Sequence, residues 1–225
     1  MILGINSATP RTEITLVKGD KTVYSKSWNS DCDEAEKILP ALKVALNKLT
    51  SFPRACADSK PISKVFVIQG PGSFTGLRVG ITIANTLAYA KNVPVTGCDT
   101  FDYFKYRIEN KRRPKTAIIL RAGGNKVAIK IPSDSKTHRL DADELQDFFT
   151  RKKSIKYIIG DIKKENRKNY PLPKSIKWLE ESSLMTLAEV ITQLEKKLEN
   201  HKIIKPIYLS APHITKGKKL HTRGA

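Results

Sequence analysis

A glycine-rich segment at residues 69–80, QGPGSFTGLRVG, has residue types that can bind a phosphate or activate a nucleophile. It follows an apolar run at residues 65–68 and precedes a helical pattern, which is the usual place of a phosphate-binding loop. Each standard template nevertheless lacks a required residue. No lysine follows Gly76 as in a P-loop, Pro71 and Thr75 replace the glycines of a nucleophile elbow, and the glycines are one residue too far apart for a dinucleotide fingerprint.

Backbone N–H groups of this segment could still bind an anion. Ser73 is a good N-cap for a helix that begins near Phe74, and the free N–H groups of that helix attract negative charge. The turn at Gly123 and Gly124 could donate N–H groups in the same way. The candidate nucleotide- or anion-binding residues are therefore Asn6, Ser7, Thr9, Gly70, Gly72, Ser73, Gly123 and Gly124. We expect no required cofactor, while binding of ATP or ADP stays open.

Metal ligands and nucleophile sets are not visible in the sequence. The histidines are far apart, at positions 138, 201, 213 and 221, and the three cysteines, at 32, 56 and 98, have no C-x-x-C spacing. We expect no metal site, no disulfide framework and a reducing cytoplasmic location. The opening residues MILGI lack a basic lead, and no apolar run is long enough for a membrane helix.

Small residues recur every four positions in the helix that follows the glycine segment: Gly76, Gly80, Ala84 and Ala88. A helical glycine is less favourable than alanine by roughly 1 kcal/mol, so two on one face indicate that another backbone approaches closely. The remaining faces are also apolar, which predicts a helix covered twice. One cover is its own sheet; the other is either a partner or the second half of the chain.

Hydrophobic periodicity predicts three strands, a helix, a strand and a helix, twice over. In the first half the expected strands are 2–6, 13–17, 22–28, 65–68 and 93–96, and the expected helices are 35–49, 74–91 and 101–107. In the second half the expected strands are 117–120, 126–131, 136–140 and 155–159, and the expected helices are 141–149 and 184–198. The order predicts an α/β protein with two ribonuclease-H-like lobes, as in the actin, hexokinase and Hsp70 (ASKHA) superfamily. We place the lobes at residues 1–109 and 110–225 and expect the second to be smaller.

The charge of the chain is strongly positive. Lys and Arg number 41 against 22 Asp and Glu, a net charge of +19, which favours anionic partners such as RNA. The basic residues are nevertheless spread along the chain without an RNA-recognition motif, and a generally lysine-rich composition would look the same. Charge alone therefore leaves direct RNA contact open.

Three stretches of the sequence resemble one protein family. The segment GPGSFTGLRVG, followed by an alanine-rich helix and NVPVTGCDTF, is similar to the signature of the TsaB (YeaZ) family. The opening MILGINSAT and the later PIYLSAP resemble that family as well. The resemblance covers the first hundred residues best. Its members are bacterial proteins required to make N6-threonylcarbamoyladenosine at position 37 of tRNA.

The resemblance implies an actin-like fold without catalytic activity. TsaB is a silent relative of the transferase TsaD and pairs with it through helices of the first lobe, while the ATPase TsaE joins the complex. It also implies a homodimer when TsaD is absent, and contact with tRNA through the complex. The residues carried over to this pairing surface are Leu42, Leu46, Gly76, Gly80, Ile83, Ala84, Leu87 and Ala88.

Several positions depart from the patterns of the family and of its superfamily. Asn6 stands where actin-like ATPases hold magnesium with an aspartate, Arg121 where the family tends to have aspartate, and Ser210 where arginine is usual. Residues 97–103, at the place of the TsaD histidine pair, contain no histidine. We therefore expect a non-catalytic protein. The alternatives are a nucleotide-binding protein of the actin superfamily with weak or no ATPase activity, an RNA-binding module acting alone, and a glycoprotease, as older family names suggest.

Overall fold

The first lobe is built on a five-stranded mixed sheet. The computed structural model describes residues 1–31, 33–50, 61–131 and 134–209. The strands of the first sheet are β1 Ile2–Asn6, β2 Arg11–Lys18, β3 Lys21–Asn29, β4 Lys64–Gly70 and β5 Val95–Asp99. Their order is β3-β2-β1-β4-β5, with β1, β2 and β3 antiparallel and β4 and β5 parallel to β1.

Helices cover both faces of the first sheet. They are α1 Glu34–Thr50, α2 Phe74–Lys91, α3 Thr100–Arg107 and, from the end of the chain, α5 Leu187–Leu194. Successive residues of β1 point to opposite faces, so Gly4 lies beneath Ile191 of α5 whereas Ile5 lies beneath Gly80 of α2. Helix α1 packs beside α2 and helix α3 beside α5. Each face of the sheet therefore carries two helices.

The second lobe repeats the strand order of the first. Its elements are β6 Thr116–Arg121, β7 Lys126–Lys130, β8 Thr137–Asp141, α4 Leu145–Arg151, β9 Tyr157–Gly160 and β10 Lys177–Trp178. Its strand order, β8-β7-β6-β9-β10, matches the order β3-β2-β1-β4-β5 of the first sheet, and β6, β7 and β8 are again antiparallel. The predicted pair of ribonuclease-H-like lobes is confirmed. The second sheet also has five strands, and the second lobe is the smaller one, as expected, because its helical layer is reduced.

The end of the described chain returns to the first lobe, which the predicted boundary at residue 110 did not foresee. The apolar face of α5, including Leu187, Ile191 and Leu194, is buried in the first core. Further on, the Asn85 side chain of α2 accepts a hydrogen bond from the Ile204 N–H and donates one to the Ile204 carbonyl, both at 2.9 Å. Residues 187–208 thus pack mainly with residues 1–109, while the Leu209 carbonyl accepts a hydrogen bond from Arg139 of β8 at 2.7 Å.

Caps fix where the main helices begin. Ser73 Oγ accepts the Gly76 N–H at 3.2 Å, and Asp99 Oδ1 accepts the Phe101 N–H at 2.6 Å. Thr186 and Glu189 form a reciprocal capping box at the start of α5. Since these caps follow directly on strands or turns, the loops at the sheet edges are short and their geometry is defined.

Candidate functional site

The loop after β1 holds the first group of candidate nucleotide-binding residues, and its side chains bind the chain itself. Asn6 is fully buried; its amide donates to Thr9 Oγ1 at 2.9 Å and lies 3.2 Å from both the Arg11 carbonyl and Glu13 Oε2. The Thr9 hydroxyl donates in turn to the Arg11 carbonyl at 2.9 Å. Both hydrogens of the Asn6 amide therefore have acceptors within the hairpin, and neither is left for a ligand.

The glycine segment packs directly on this loop. Ser7 Oγ donates to the Gly76 carbonyl at 2.7 Å, and the Ser73 N–H donates to the Ala8 carbonyl at 2.8 Å. A Cβ at Gly72 would overlap the Ala8 carbonyl oxygen, and one at Gly76 would overlap the Ser7 carbonyl oxygen. The backbone that approaches Gly72 and Gly76 is thus the loop after β1 of the same chain. The glycine spacing that resembles a phosphate-binding loop allows these two loops to pack closely.

The candidate residues of the second hairpin lie apart from that contact. Gly123 and Gly124 are exposed and have φ angles of +89° and +56°, a region that favours glycine. The turn is closed by the Ala122 N–H, which donates to the Lys126 carbonyl at 2.8 Å. These glycines are explained by turn geometry.

A cleft of about 320 Å³ separates the lobes. Its walls are the start of β2, helix α3, the end of β9 with residues 161–167, and residues 179–184. Thr9 is the one candidate nucleotide-binding residue among its lining residues. The cations of the cleft are largely paired, Arg167 with Glu180 at 3.1 Å and Lys163 with Asp31 at 3.5 Å. The cleft therefore does not offer the free cationic cradle that a nucleotide triphosphate needs.

A buried polar network beside the cleft was not predicted from the sequence. The Tyr103 hydroxyl donates to Glu13 Oε2, and the same carboxylate lies 3.7 Å from Arg11. Arg107 binds Glu181 and donates from Nε to the Met185 carbonyl at 2.7 Å, while Arg11 lies 3.1 Å from Glu181. Residues 181–185, just before α5, are thereby tied to β2 and α3.

Burial decides the protonation of this network. Burial first, and then the charge of Glu13, raises the pKa of Tyr103 well above its usual range, so the phenol stays a donor. Burial alone would lower the pKa of Arg107, but Tyr103, Glu13 and Glu181 raise it. The i, i+4 spacing of Tyr103 and Arg107 on one helix was the available signal, together with a glutamate in an otherwise apolar position of β2.

Asp161 is the second group that the sequence reasoning missed. It follows β9 directly and is 3% exposed; its Oδ1 accepts the Arg121 N–H at 2.8 Å, and its Oδ2 lies 3.7 Å from Arg121 Nε. Burial raises the pKa of Asp161 to about 6 although Arg121 opposes the shift. Arg121 is thus paired with a neighbouring buried acid. An acidic residue at the end of an apolar strand was the signal.

The predicted pairing surface divides into two parts. Gly76, Gly80, Ala84, Ala88 and Leu42 are buried within the chain, and a Cβ at Gly80 would overlap Ser7 Oγ. Because the small-residue stripe faces the chain's own sheet, it cannot form the outer surface, and this part of the prediction is wrong.

Other predicted pairing residues remain partly accessible. Leu46, Ile83 and Leu87 are half-buried on α1 and α2. Near them the helices expose larger side chains: Leu39 by 57%, Val44 by 46% and Tyr89 by 89%. The outward-facing side of α1 and α2 therefore combines these large apolar side chains with exposed polar ones, such as Lys43 and Thr82.

The described residues contain no group of three or more His, Cys, Asp or Glu side chains that could hold a metal ion. Asp99 serves as the cap of α3, and His138 lies 3.3 Å from Asp134. His213, His221, Cys32, Cys56 and Ser210 lie outside the described residues. No helix of the described part has both the length and the apolar character needed to cross a membrane.

The paired sheets and the lobes that they support define a two-lobed protein of the ASKHA class. A family model described as "TsaD: tRNA N6-adenosine threonylcarbamoyltransferase" matches residues 33–212. The protein TsaB of Bacillus subtilis is 28% identical over 101 residues, 45% of this chain and 42% of that protein. TsaB of Buchnera aphidicola is 29% identical over 119 residues, 53% of each. The aligned part thus spans about half the length of these relatives.

A solved structure shares the fold over almost its whole length. YeaZ from Pseudomonas aeruginosa superposes with a TM-score of 0.62 at 14% identity, covering 92% of this chain and 98% of that one. The chain belongs to the tRNA N6-adenosine threonylcarbamoyltransferase (TsaD) family, and the relatives named TsaB and YeaZ confirm the TsaB resemblance predicted from the glycine segment.

Proposed function

We propose that this chain is a non-catalytic accessory subunit in the formation of N6-threonylcarbamoyladenosine in tRNA. The observation that carries the proposal is the loop after β1, where an actin-like ATPase would hold its nucleotide. There Asn6 stands in place of an acid, and its amide donates hydrogen bonds to Thr9 and Glu13 of the hairpin. Ser7 is buried, and its hydroxyl donates to the Gly76 carbonyl. Relatives named for this tRNA modification support the pathway.

The proposed partner is a TsaD-like transferase, bound through the outward side of α1 and α2. Three of the most exposed large apolar side chains of the described residues lie there, Leu39, Val44 and Tyr89, with half-buried Leu46 and Ile83. This number of exposed large apolar side chains on two neighbouring helices supports an interface. We further propose that a TsaE-like ATPase joins the pair in the cytoplasm, that the complex binds tRNA, and that the chain forms a homodimer through the same helices when TsaD is absent.

Co-purification tests the pairing. We expect Leu39→Asp combined with Tyr89→Asp to abolish capture of a co-expressed TsaD while leaving the melting temperature unchanged, because both side chains are already exposed. Ile203→Asp is the matched control, since Ile203 is 63% exposed but lies outside α1 and α2. Equal capture by the double variant and the wild type contradicts the proposed surface.

Turnover assays test the absence of catalysis. The purified chain should hydrolyse neither ATP nor threonylcarbamoyl-AMP, and calorimetry with ATP and ADP should give no heat of specific binding. Turnover that a substitution of Asn6 removes, with the fold intact, would show that the loop after β1 is an active site and would refute the proposal.

A further inference from the structure

Three lysines stand side by side at the amino-terminal end of the second sheet. The Lys156 N–H donates to the Lys115 carbonyl at 2.8 Å, and the Lys177 N–H donates to the Lys156 carbonyl at 3.0 Å. All three side chains are exposed. Lys115 and Lys156 directly precede the register pair Thr116 and Tyr157, so they share one face, where like charges on neighbouring strands about 4.8 Å apart are destabilising; Lys177 is in register with Tyr157 and lies on the other face of the same sheet end. Any neutral polar residue would serve the fold at these positions, so the repulsion calls for another explanation.

Aromatic rings with cations over them lie next to this row. Arg112 is 5.8 Å from the centre of the Tyr157 ring, on the middle strand of the row. The adjacent Arg113 is 4.8 Å from the centre of the Tyr106 ring, which Lys197 approaches to 5.1 Å and Lys105 to 5.8 Å. Three cations around one half-buried ring are a concentration of positive charge that a monomer does not need.

We call the surface formed by these seven cations the basic end: Lys105, Arg112, Arg113, Lys115, Lys156, Lys177 and Lys197. Within the part of the chain that the structure describes, these cations form one ion pair, between Arg112 and the Glu109 carboxylate at 3.8 Å. Because β6, β9 and β10 run parallel, their amino ends lie opposite the carboxyl end of β9, where Gly160 and Asp161 line the cleft. The basic end is therefore separate from the cleft and also from the outward side of α1 and α2.

We propose that the basic end binds the sugar–phosphate backbone of tRNA directly. Lysine and arginine neutralise phosphates, and tyrosine rings flanked by cations are surfaces on which bases stack. Seven cations against one acid fit a polyanion better than a protein surface, on which the two signs are mixed. The identity of the RNA rests on the proposed function. The charge argument does not, and the surface would stay accessible in a complex formed through α1 and α2.

Fluorescence anisotropy with a labelled, unmodified tRNA transcript tests the proposal on the full chain without partners. The variant Lys115→Gln/Lys156→Gln/Lys177→Gln removes three exposed charges and keeps the backbone hydrogen bonds between them. We expect at least about tenfold weaker binding, and a slope of log affinity against log salt that is smaller by roughly 2 to 3, since each lost phosphate contact removes about 0.9 from the slope.

The matched control removes the same charge from elsewhere: Lys21→Gln/Lys26→Gln/Lys136→Gln, at exposed positions of β3 and before β8. It should weaken binding less than about threefold, as a loss of general field alone would do. Thermal melts of both variants establish that each is folded. Equal losses in the two triple variants, or no binding by the wild type, overturn the proposal.

Two further measurements separate this proposal from the function on which it rests. Vesicles containing phosphatidylserine should bind the wild type weakly and both triple variants alike; a loss specific to the first variant there, without one for tRNA, assigns the surface to a membrane and overturns the proposal. TsaD capture by the first variant should equal that of the wild type. If the wild type captures no TsaD while the tRNA result holds, the accessory role fails and the basic end stands.

Discussion

The contacts of Gly76 and Gly80 in α2 predict that Ser7→Ala will relieve the effect of Gly80→Ala on stability but not the effect of Gly76→Ala. A Cβ at Gly76 would overlap a backbone oxygen, the Ser7 carbonyl, whereas a Cβ at Gly80 would overlap the Ser7 hydroxyl. The first obstacle cannot move without the loop after β1, but the second can be removed by Ser7→Ala. After that change the nearest atom to a Cβ at Gly80 is the Ser7 Cβ at 3.3 Å, a tight but tolerable contact.

The magnitudes follow from two opposing effects. Alanine in place of a helical glycine gains about 1 kcal/mol, and overpacking a core against an atom that cannot yield costs roughly 1–3 kcal/mol or more. For Gly76→Ala we expect a net loss of about 2 kcal/mol, because the obstacle is backbone, and a melting temperature lower by about 4–8 °C. For Gly80→Ala the helical gain roughly offsets the loss of the Ser7 hydrogen bond to Gly76, itself about 1 kcal/mol.

A double-mutant cycle measures the difference. In the Ser7→Ala background, Gly80→Ala should become stabilising by up to about 1 kcal/mol, while Gly76→Ala should cost as much as it does in the wild type. Urea unfolding followed by tryptophan fluorescence gives the free energies. Thr82→Ala, at an exposed position of the same helix, is the control and should change stability by only a few tenths of a kcal/mol.

Two results would refute this reasoning. Gly76→Ala could prove as stable as the wild type, or Ser7→Ala could relieve both substitutions equally. Either would mean that the small residues of α2 do not lie against the loop after β1.

Three further predictions concern buried groups. Because burial raises the pKa of Asp161 from 3.8 to about 6, the folded protein holds a proton that the unfolded chain has released between those values. The group's contribution is therefore most favourable below pH 4 and declines by about 3 kcal/mol towards pH 7, and the stability difference between Asp161→Asn and the wild type in urea melts should grow in favour of the variant over that range. Tyr103→Phe should cost about 2 kcal/mol, since it removes a donor from the buried Glu13 carboxylate, while Tyr89→Phe, at an exposed ring, should cost nothing measurable in the same melts. Burial raises the pKa of the Cys98 thiol well above its usual range, so mass spectrometry should find Cys98 unmodified by iodoacetamide until denaturant is added.

Local signals in the sequence were sufficient for most of the fold. The predicted helix 74–91 agrees with α2 because Ser73 caps its start and Asn92, with a φ angle of +47°, ends it in the left-handed region. The twofold pattern of strands and helices predicted the repeated sheet order. Strand β10 was not predicted, since two residues are too few to show a period. Periodicity also does not indicate which sheet a helix packs on, so the position of α5 on the first sheet could not be predicted.

The candidate site shows where such signals end. The spacing of Gly76 and Gly80 correctly indicated a close approach, which is to a backbone oxygen at Gly76 and to the Ser7 hydroxyl at Gly80. Spacing carries no information on which segment approaches, and here it is the loop that holds Ser7, 69 residues before Gly76. The same limit hid the network of Glu13, Tyr103 and Glu181, whose members are distant in sequence and lie next to one another only after both lobes have formed.

The amino ends of β6, β9 and β10 extend this argument to charge. In the sequence, Lys115, Lys156 and Lys177 are three lysines among many, and the net charge of +19 gives them no special weight. Parallel pairing makes them neighbours through two backbone hydrogen bonds. A general lysine bias would place charge without regard to this register. If only overall charge mattered, removing three lysines would weaken tRNA binding equally at any place in the chain. The two triple variants therefore separate a composition effect from a binding surface, because they carry the same net charge and differ only in where the lysines stood.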